Sequence, residues 1–374
     1  MALVYLASMP THSSPILGTL LLTHSSRRVD LERCSVDFLK RRFAAPERLR
    51  DRPPFESLPP CRQIYSGALS FFRVYGEGGT VRRVEPLGCI KHRDKIQHAV
   101  LIDDRTLWVG FEHRLEVWRL DRSILRLRRV KQRYTVTQRI EHPHLAALHT
   151  VEALGPRRAM LSCSASDAVL VVDVETGRVQ RSLRLPAELY GEGFALKPER
   201  DLRQHYIPDD LQTTHVNAAF PIDTGRRIVV STLIQGAIGT FELASGAYRE
   251  LTRGFVGCHG ARADAAGCIY FTDSPRGALM ALAADGTTTQ RYKVESRWLH
   301  DSLQILGSIY AFALSDTNEL LIVDIDSGEL LFRRRFFAWP VEGFFELAHR
   351  WPFWVGNSTQ ALSFYGLGSV AAKS

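Results

Sequence analysis

The sequence predicts an all-β chain folded as a single β-propeller of six or seven four-stranded blades, seven being the preferred count. Three observations lead there. From about residue 97 the chain falls into repeated units of short apolar or β-branched runs, broken by Gly, Asp, Asn and Ser. In four units the third run ends in a TG, SG or DG dipeptide (VDVETG, FELASG, ALAADG, VDIDSG), which suits a hairpin that needs positive φ. Helical periodicity is scarce, so little competes with the strand reading.

Taken in order, LVYLAS (3–8) reads as a strand that completes the last blade. It would close the ring by pairing the two ends of the chain, which removes the open edge of an unclosed sheet. GTLLLTHS (18–25), ALSFFRVYG (68–76) and TVRRVEPL (80–87) read as strands of one blade. Residues 41–60 read as a surface insertion of helical character. Five units then start at His98, His149, His215, His259 and His300, and a further one near Gly343. Their spacing lies close to the ~40–50 residues of a blade, except between His149 and His215. There residues 190–214 read as an inter-blade insertion. Residues 1–374 are therefore expected to form one domain, with insertions at about 26–60 and 190–214.

A chain of 374 residues buries enough apolar surface to fold without disulfides. Its six cysteines, Cys34, Cys61, Cys89, Cys163, Cys258 and Cys268, form no CxxC pair and read as reduced thiols. The N-terminus has no early Lys or Arg and an interrupted apolar stretch, unlike a secretory signal, and no apolar run reaches a membrane span. A cytoplasmic location is the expectation. The net charge of +8 is mostly an arginine excess. In RLRRVKQR, arginine alternates with apolar residues, as on an outer edge strand that needs charge to resist pairing. Nucleic acid is therefore not the expected partner. A small-molecule substrate is, with a protein partner as the other reading.

The histidines carry the functional expectation. Five units begin with one, and the first strand of a propeller blade lines the central channel. Repeating a residue there places its copies in a ring. Imidazole is the commonest neutral ligand for divalent transition metals. His98, His149, His215, His259 and His300 are thus the expected metal ligands, Fe(II) first, with Zn, Cu or Mn as alternatives. Asn217, Arg262 and Asp301 follow these histidines closely and are the expected catalytic residues, Arg262 by pairing with a substrate carboxylate. Thr150, Glu342 and Glu346 are expected to orient the rings from behind. Tyr190, Phe194, His205 and Tyr206 of the insertion are candidate lid residues, and His142 or His144 a further contributor to the mouth.

Over roughly residues 97–370 the repeat resembles the propeller pattern shared by NHL repeats, gluconolactonase-like propellers and virginiamycin lyase-like propellers. IYFTDSPRGALMALAADG (269–286) is its best single match. The resemblance implies the fold. Gluconolactonase-like propellers hold a divalent ion with axial Glu, Asn and Asp, for which only Asn217 and Asp301 stand here. Virginiamycin lyase-like propellers use an axial His with magnesium. A tetra-histidine axial centre is similar, in arrangement only, to that of carotenoid cleavage oxygenases, which implies iron and oxygenation. The expected function is a metal-dependent, oxygenase-like enzyme acting on a small organic substrate. The alternatives are a metal-assisted hydrolase, lactonase or lyase, a metal-free transferase with an axial His nucleophile, and a non-catalytic binding scaffold.

Overall fold

The computed structural model describes residues 14–28, 56, 67–124, 133–191, 200–205, 207, 212–255, 257–264, 266–336 and 355–366. LVYLAS, residues 41–55, Cys34, Cys61, Phe194, Tyr206, Glu342 and Glu346 lie outside them.

Among the described residues, twenty-four strands form six antiparallel four-stranded sheets. Blade 2 is β4 (Ile96–Leu101), β5 (Thr106–Phe111), β6 (Leu115–Leu120) and β7 (Tyr134–Ile140). Blade 3 is β8 (Leu148–Ala153), β9 (Arg158–Cys163), β10 (Ala168–Asp173) and β11 (Val179–Arg184). Blade 4 is β12 (Val216–Ile222), β13 (Arg227–Thr232), β14 (Ala237–Glu242) and β15 (Tyr248–Thr252). Blade 5 is β16 (Cys258–Ala263), β17 (Ile269–Asp273), β18 (Ala278–Leu282) and β19 (Thr288–Lys293). Blade 6 is β20 (Leu299–Leu306), β21 (Ile309–Leu314), β22 (Glu319–Asp324) and β23 (Glu329–Arg335).

Blade 1 joins the two ends of the chain. β1 (Ile16–Arg28), β2 (Gly67–Glu77) and β3 (Thr80–His92) take as their inner strand β24 (Val355–Gly366), in the order β24–β1–β2–β3. Closure by the chain ends is as expected, but the count is six blades rather than the preferred seven. The run after Gly343 does not start another blade, because its strand pairs with β1. The inner strands β24, β4, β8, β12, β16 and β20 neighbour one another in a closed ring.

Period-two alternation explains why the sheets stack. Trp108 faces blade 3 beside Leu161 and Leu170, while its neighbours Leu107 and Val109 face blade 1 beside Leu69 and Phe71. Every blade-to-blade junction holds such an apolar cluster. The closing one packs Ile309, Ala311 and Ile322 against Leu20, Phe72 and Val74. The third-strand turns behave as their dipeptides predict: Gly177, Gly246, Gly286 and Gly328 have φ of 70°, 76°, 89° and 75°. No helix of the described residues is long and apolar enough to cross a membrane.

Candidate functional site

Five inner strands begin alike. A buried apolar residue pairs with the end of the second strand: Ile96 with Phe111, Leu148 with Cys163, Val216 with Thr232, Cys258 with Asp273, Leu299 with Leu314. The register then slips within the next few residues. Just before the strand the backbone turns through positive φ in three blades, at Ala147 (49°), His215 (50°) and Gly257 (64°). Aligned on these features, the five histidines occupy three registers. His215 stands before the apolar residue. His149, His259 and His300 stand one after it, and His98 stands two after it. The single shared position expected from the sequence is therefore corrected. In an extended strand a one-residue step changes the direction of the side chain, and His98 separates from the rest.

Four histidines gather at the mouth where the inner strands begin. The rings of His149 and His215 lie 4.8 Å apart and edge-on. Those of His259 and His300 lie 4.7 Å apart, with Trp298 edge-on to His259 at 5.7 Å. Burial holds the His149 pKa well below the usual imidazole value, and repulsion from His215, Lys95, His300 and His259 lowers it further. His149 is thus neutral at pH 7. His259 is pinned through Nδ1, which lies 2.9 Å from the Gly257 carbonyl and 2.8 Å from Ser274 Oγ. A carbonyl only accepts, so these contacts assign the proton to Nδ1 and the lone pair of the neutral ring to Nε2.

His215 is placed by a residue that the sequence reading missed. The buried Asp167 carboxylate, in the β9–β10 turn, accepts from the backbone N–H groups of Thr213, Thr214 and His215 at 2.9, 2.7 and 2.9 Å, and from the Thr214 hydroxyl at 2.7 Å. Three successive amides converging on one carboxylate fix the loop that enters β12. Lys95, Gln97 and Trp298 were missed as well. Aligning the repeats on their apolar strand starts, rather than on histidine, places all three at the mouth.

Deeper along the axis lies a polar plug. His98 is fully buried, and both ring nitrogens are engaged. Nδ1 lies 2.9 Å from the Val151 carbonyl and 3.1 Å from the Val151 amide, and Nε2 lies 3.2 Å from the Leu362 carbonyl. Burial, the largest cause, pushes its pKa down to about 4. Arg262 bonds Asp301 bidentately at 2.7 and 3.0 Å. It also donates to the Ser302 carbonyl and, at 2.9 Å, to Leu362 O, and it stacks 4.1 Å from the Phe220 ring centre. Asp301 accepts further from the Ser302 and Leu362 amides, each at 2.8 Å. Leu362, His98, Val151, Phe220, Arg262 and Asp301 come one from each of the six blades. Asn217 donates to Cys258 O at 2.6 Å and accepts from Ser231 at 2.7 Å, tying blade 4 to blade 5. The structure thus sets Asn217, Arg262 and Asp301 in contacts between and within blades.

The insertion divides. Tyr190 ends a short helix, α1 (Ala187–Tyr190), and docks outward, bonding Tyr248 OH at 2.7 Å and the Glu250 carboxylate on the outer strand of blade 4. Leu202 and Ile207 pack on Ala146 and Ala165, so this part does lie over the strand-entry end of blade 3. His142 and His144 face each other, ring centres 5.1 Å apart. Thr150 bonds Ser162 Oγ at 2.8 Å and accepts from the Ala219 amide.

The fit to a metal is pairwise. Two imidazoles sharing one ion at ~2.1 Å hold their ring centres about 5 Å apart, and each histidine pair meets that spacing. Among the described residues, no group of three or more His, Cys, Asp or Glu side chains stands at metal-holding spacing.

Fold and site together define a six-bladed propeller with a polar axial plug under a histidine-lined mouth. No protein-family model matches the sequence, and no curated protein matches it. Solved structures do. A chain of a nidogen/laminin complex is 11% identical, with 93% of this chain and 98% of that one covered and a TM-score of 0.54. The periplasmic gluconolactonase PpgL of Pseudomonas aeruginosa is 15% identical, covering 80% of each chain, with a TM-score of 0.45. Virginiamycin B lyase of Staphylococcus aureus is 10% identical, covering 75% of this chain and 84% of that one, also at 0.45. At 11% identity the likeness to the nidogen/laminin chain shows the propeller fold alone, as the sequence repeat predicts.

Proposed function

We propose that the chain is an enzyme acting on a small organic molecule at the axial mouth. In this reading His149, His215, His259 and His300 supply the ligands for a divalent transition metal, Fe(II) first and Zn, Cu or Mn after it. The observation that supports it is the gathering of four imidazoles from four successive blades in two close pairs, with His149 neutral. Coordination takes the uncharged ring, so a site that keeps imidazole neutral at pH 7 avoids a deprotonation cost on binding. Iron would supply oxygenation or oxidative cleavage, and zinc or manganese would assist hydrolysis, lactone opening or elimination. The chain's own part is to hold the rings: Asp167 fixes the backbone under His215, and Gly257 and Ser274 fix His259.

A second reading is favoured by the absence of a three-donor group among the described residues. Here the same mouth works without metal. His259, oriented through Nδ1, moves protons at Nε2 for an elimination or hydrolysis. Elemental analysis of the full-length protein, purified without chelator and then after anaerobic addition of Fe(II), Zn or Mn, separates the two. About one ion per chain, lost in His259→Ala and His215→Ala, is the expected result. Less than a tenth of an ion per chain under every condition would sink the metal reading and leave the second.

A further inference from the structure

The charge of the chain is not spread evenly over the propeller. The six outer strands, β3, β7, β11, β15, β19 and β23, together carry twelve Lys and Arg against three acids, Glu85, Glu250 and Glu329. The whole chain has 48 basic and 40 acidic residues, so what lies outside these strands is close to balance, and the excess behind the net charge of +8 sits on the rim. Edge protection, the reading taken from the sequence, accounts for charge on an outer strand but not for one sign of it, and it favours lysine. Ten of the twelve are arginine. Some of them have acid partners: Arg83 pairs with Glu85, Arg139 with Glu116 and Arg333 with Glu319. Glu250 is held in turn by Arg253. Arg82, Arg181, Arg249, Arg291, Lys293 and Arg335 are exposed and have no ion-pair partner among the described residues. They stand on every blade except blade 2.

We infer that the rim binds single-stranded nucleic acid, passing from blade to blade along the outer strands. A guanidinium presents a fork of N–H donors that matches two phosphate oxygens, which suits the arginine excess. The outer strands of a closed ring face away from its axis in every direction around it. A flat anionic bilayer reaches only neighbouring blades, and duplex DNA, with a persistence length of about 50 nm, is too stiff to follow the rim. A single strand bends at each nucleotide and meets the cations of successive blades, releasing counterions at each contact. The aromatic side chains of the outer strands, Tyr134, Tyr248, Tyr292 and Phe332, pack inward on the apolar clusters between blades, so the rim reads phosphate rather than base. This surface is separate from the mouth, and the inference does not depend on the reaction proposed there.

The test is fluorescence anisotropy of the full-length protein at pH 7 with labelled oligouridylates of about 8 and about 30 nucleotides. Duplex DNA of the longer length, heparin and phosphatidylserine vesicles serve as competitors. The longer oligouridylate should bind about tenfold or more tightly than the shorter one, because it engages several blades at once. Raising the salt from about 50 to about 200 mM should weaken that binding about a hundredfold, the loss expected when about five phosphates of a single strand are neutralised. Arg249→Glu with Arg291→Glu should weaken it about tenfold or more and flatten the salt slope, while Arg249→Lys with Arg291→Lys should retain most of it. Arg82→Glu with Arg335→Glu repeats the test on blades 1 and 6. Arg158→Glu with Arg226→Glu reverses as much charge at exposed positions off the rim, at the entries to β9 and β13, and should change the affinity less than about threefold. Circular dichroism and thermal midpoints establish that the variants are folded. No binding of the longer oligouridylate at low salt, an affinity indifferent to its length, or equal losses from rim and off-rim reversals would each overturn the proposal. So would duplex DNA, heparin or vesicles binding better than the oligouridylate. None of these outcomes bears on the mouth, which is decided by metal content and by the His259→Ala and His215→Ala variants.

Discussion

Removing the Asp301 carboxylate is the sharpest test of the axial plug. Four hydrogen bonds end on it: two from Arg262, at 2.7 and 3.0 Å, and one each from the Ser302 and Leu362 amides at 2.8 Å. The side chains of Arg262 and Asp301 are 7% and 6% exposed, so solvent cannot take over. Asp301→Ala therefore leaves a buried guanidinium facing two carbonyls and the Phe220 ring, and leaves two amides unbonded. Breaking a buried ion pair from one side costs about 3–5 kcal/mol, a large part of the roughly 5–15 kcal/mol that holds a domain folded. Urea unfolding followed by tryptophan fluorescence should show the midpoint fall accordingly. Asp301→Asn keeps the shape and loses the charge, and should cost about 1.5–3 kcal/mol. Pairing Arg262→Met with Asp301→Asn should cost less than the sum of the single changes, because neither charge is then left alone. A loss below 1 kcal/mol in Asp301→Ala, or strict additivity in the double variant, would refute the reasoning.

Other outcomes follow from the same contacts. Gly260 has φ of 57°, and a Cβ there would overlap the Asp301 carboxylate, so Gly260→Ala should lower the thermal midpoint by the equivalent of about 1–3 kcal/mol. His98 has a folded pKa of about 4, below the unfolded value near 6.5, so the unfolded chain takes up the proton first as pH falls. Its contribution is whole above pH 6.5 and is lost towards pH 4, by up to about 3 kcal/mol. Midpoints at pH 7.5 and 5 should therefore diverge less in His98→Gln than in the parent. Deleting residues 355–374 removes the inner strand of blade 1 and the Leu362 groups that Arg262, His98 and Asp301 bind, and circular dichroism should report no cooperative unfolding. Burial pushes the thiols of Cys163 and Cys258 up to about 12, so peptide mapping after brief alkylation should find both unmodified in the native chain.

Local signals made the fold legible. The TG, SG and DG turns fall at positive-φ glycines, and the alternating runs of units such as 215–252 and 300–335 become the four strands of one blade. The blade count was not local. β24 is a good strand whose partner, β1, stands at the other end of the chain, and no periodicity records that pairing. The site was half legible. Sequence reading found the four histidines of the mouth, because their residue type recurs. It set His98 among them because a register slip is invisible in a string of letters, and one residue decides whether a ring meets its neighbours or a backbone carbonyl. Arg262 and Asp301 stood out in the sequence as charged residues near the channel, and their mutual pairing was not legible there: a guanidinium and a carboxylate at matching depth on adjacent inner strands meet each other.

The division of the axis into plug and mouth follows from what a closed ring of sheets must satisfy. Six inner strands converge, and their polar groups face one another across a narrow core where an unbonded one is costly. The plug answers this with side chains that reach between blades, and Leu362, on the last strand to join, offers both its N–H and its C=O to them. The mouth is not closed in that way. It carries four imidazoles and the Trp298 indole, groups of higher chemical capacity than a lining needs, on strands that the plug immobilises a residue or two below. A site built so close to the closure point is held to a fixed geometry by the same bonds that complete the ring. Loosening the plug with Asp301→Asn should therefore weaken metal uptake at the mouth histidines even where the chain remains folded, which elemental analysis beside the parent checks.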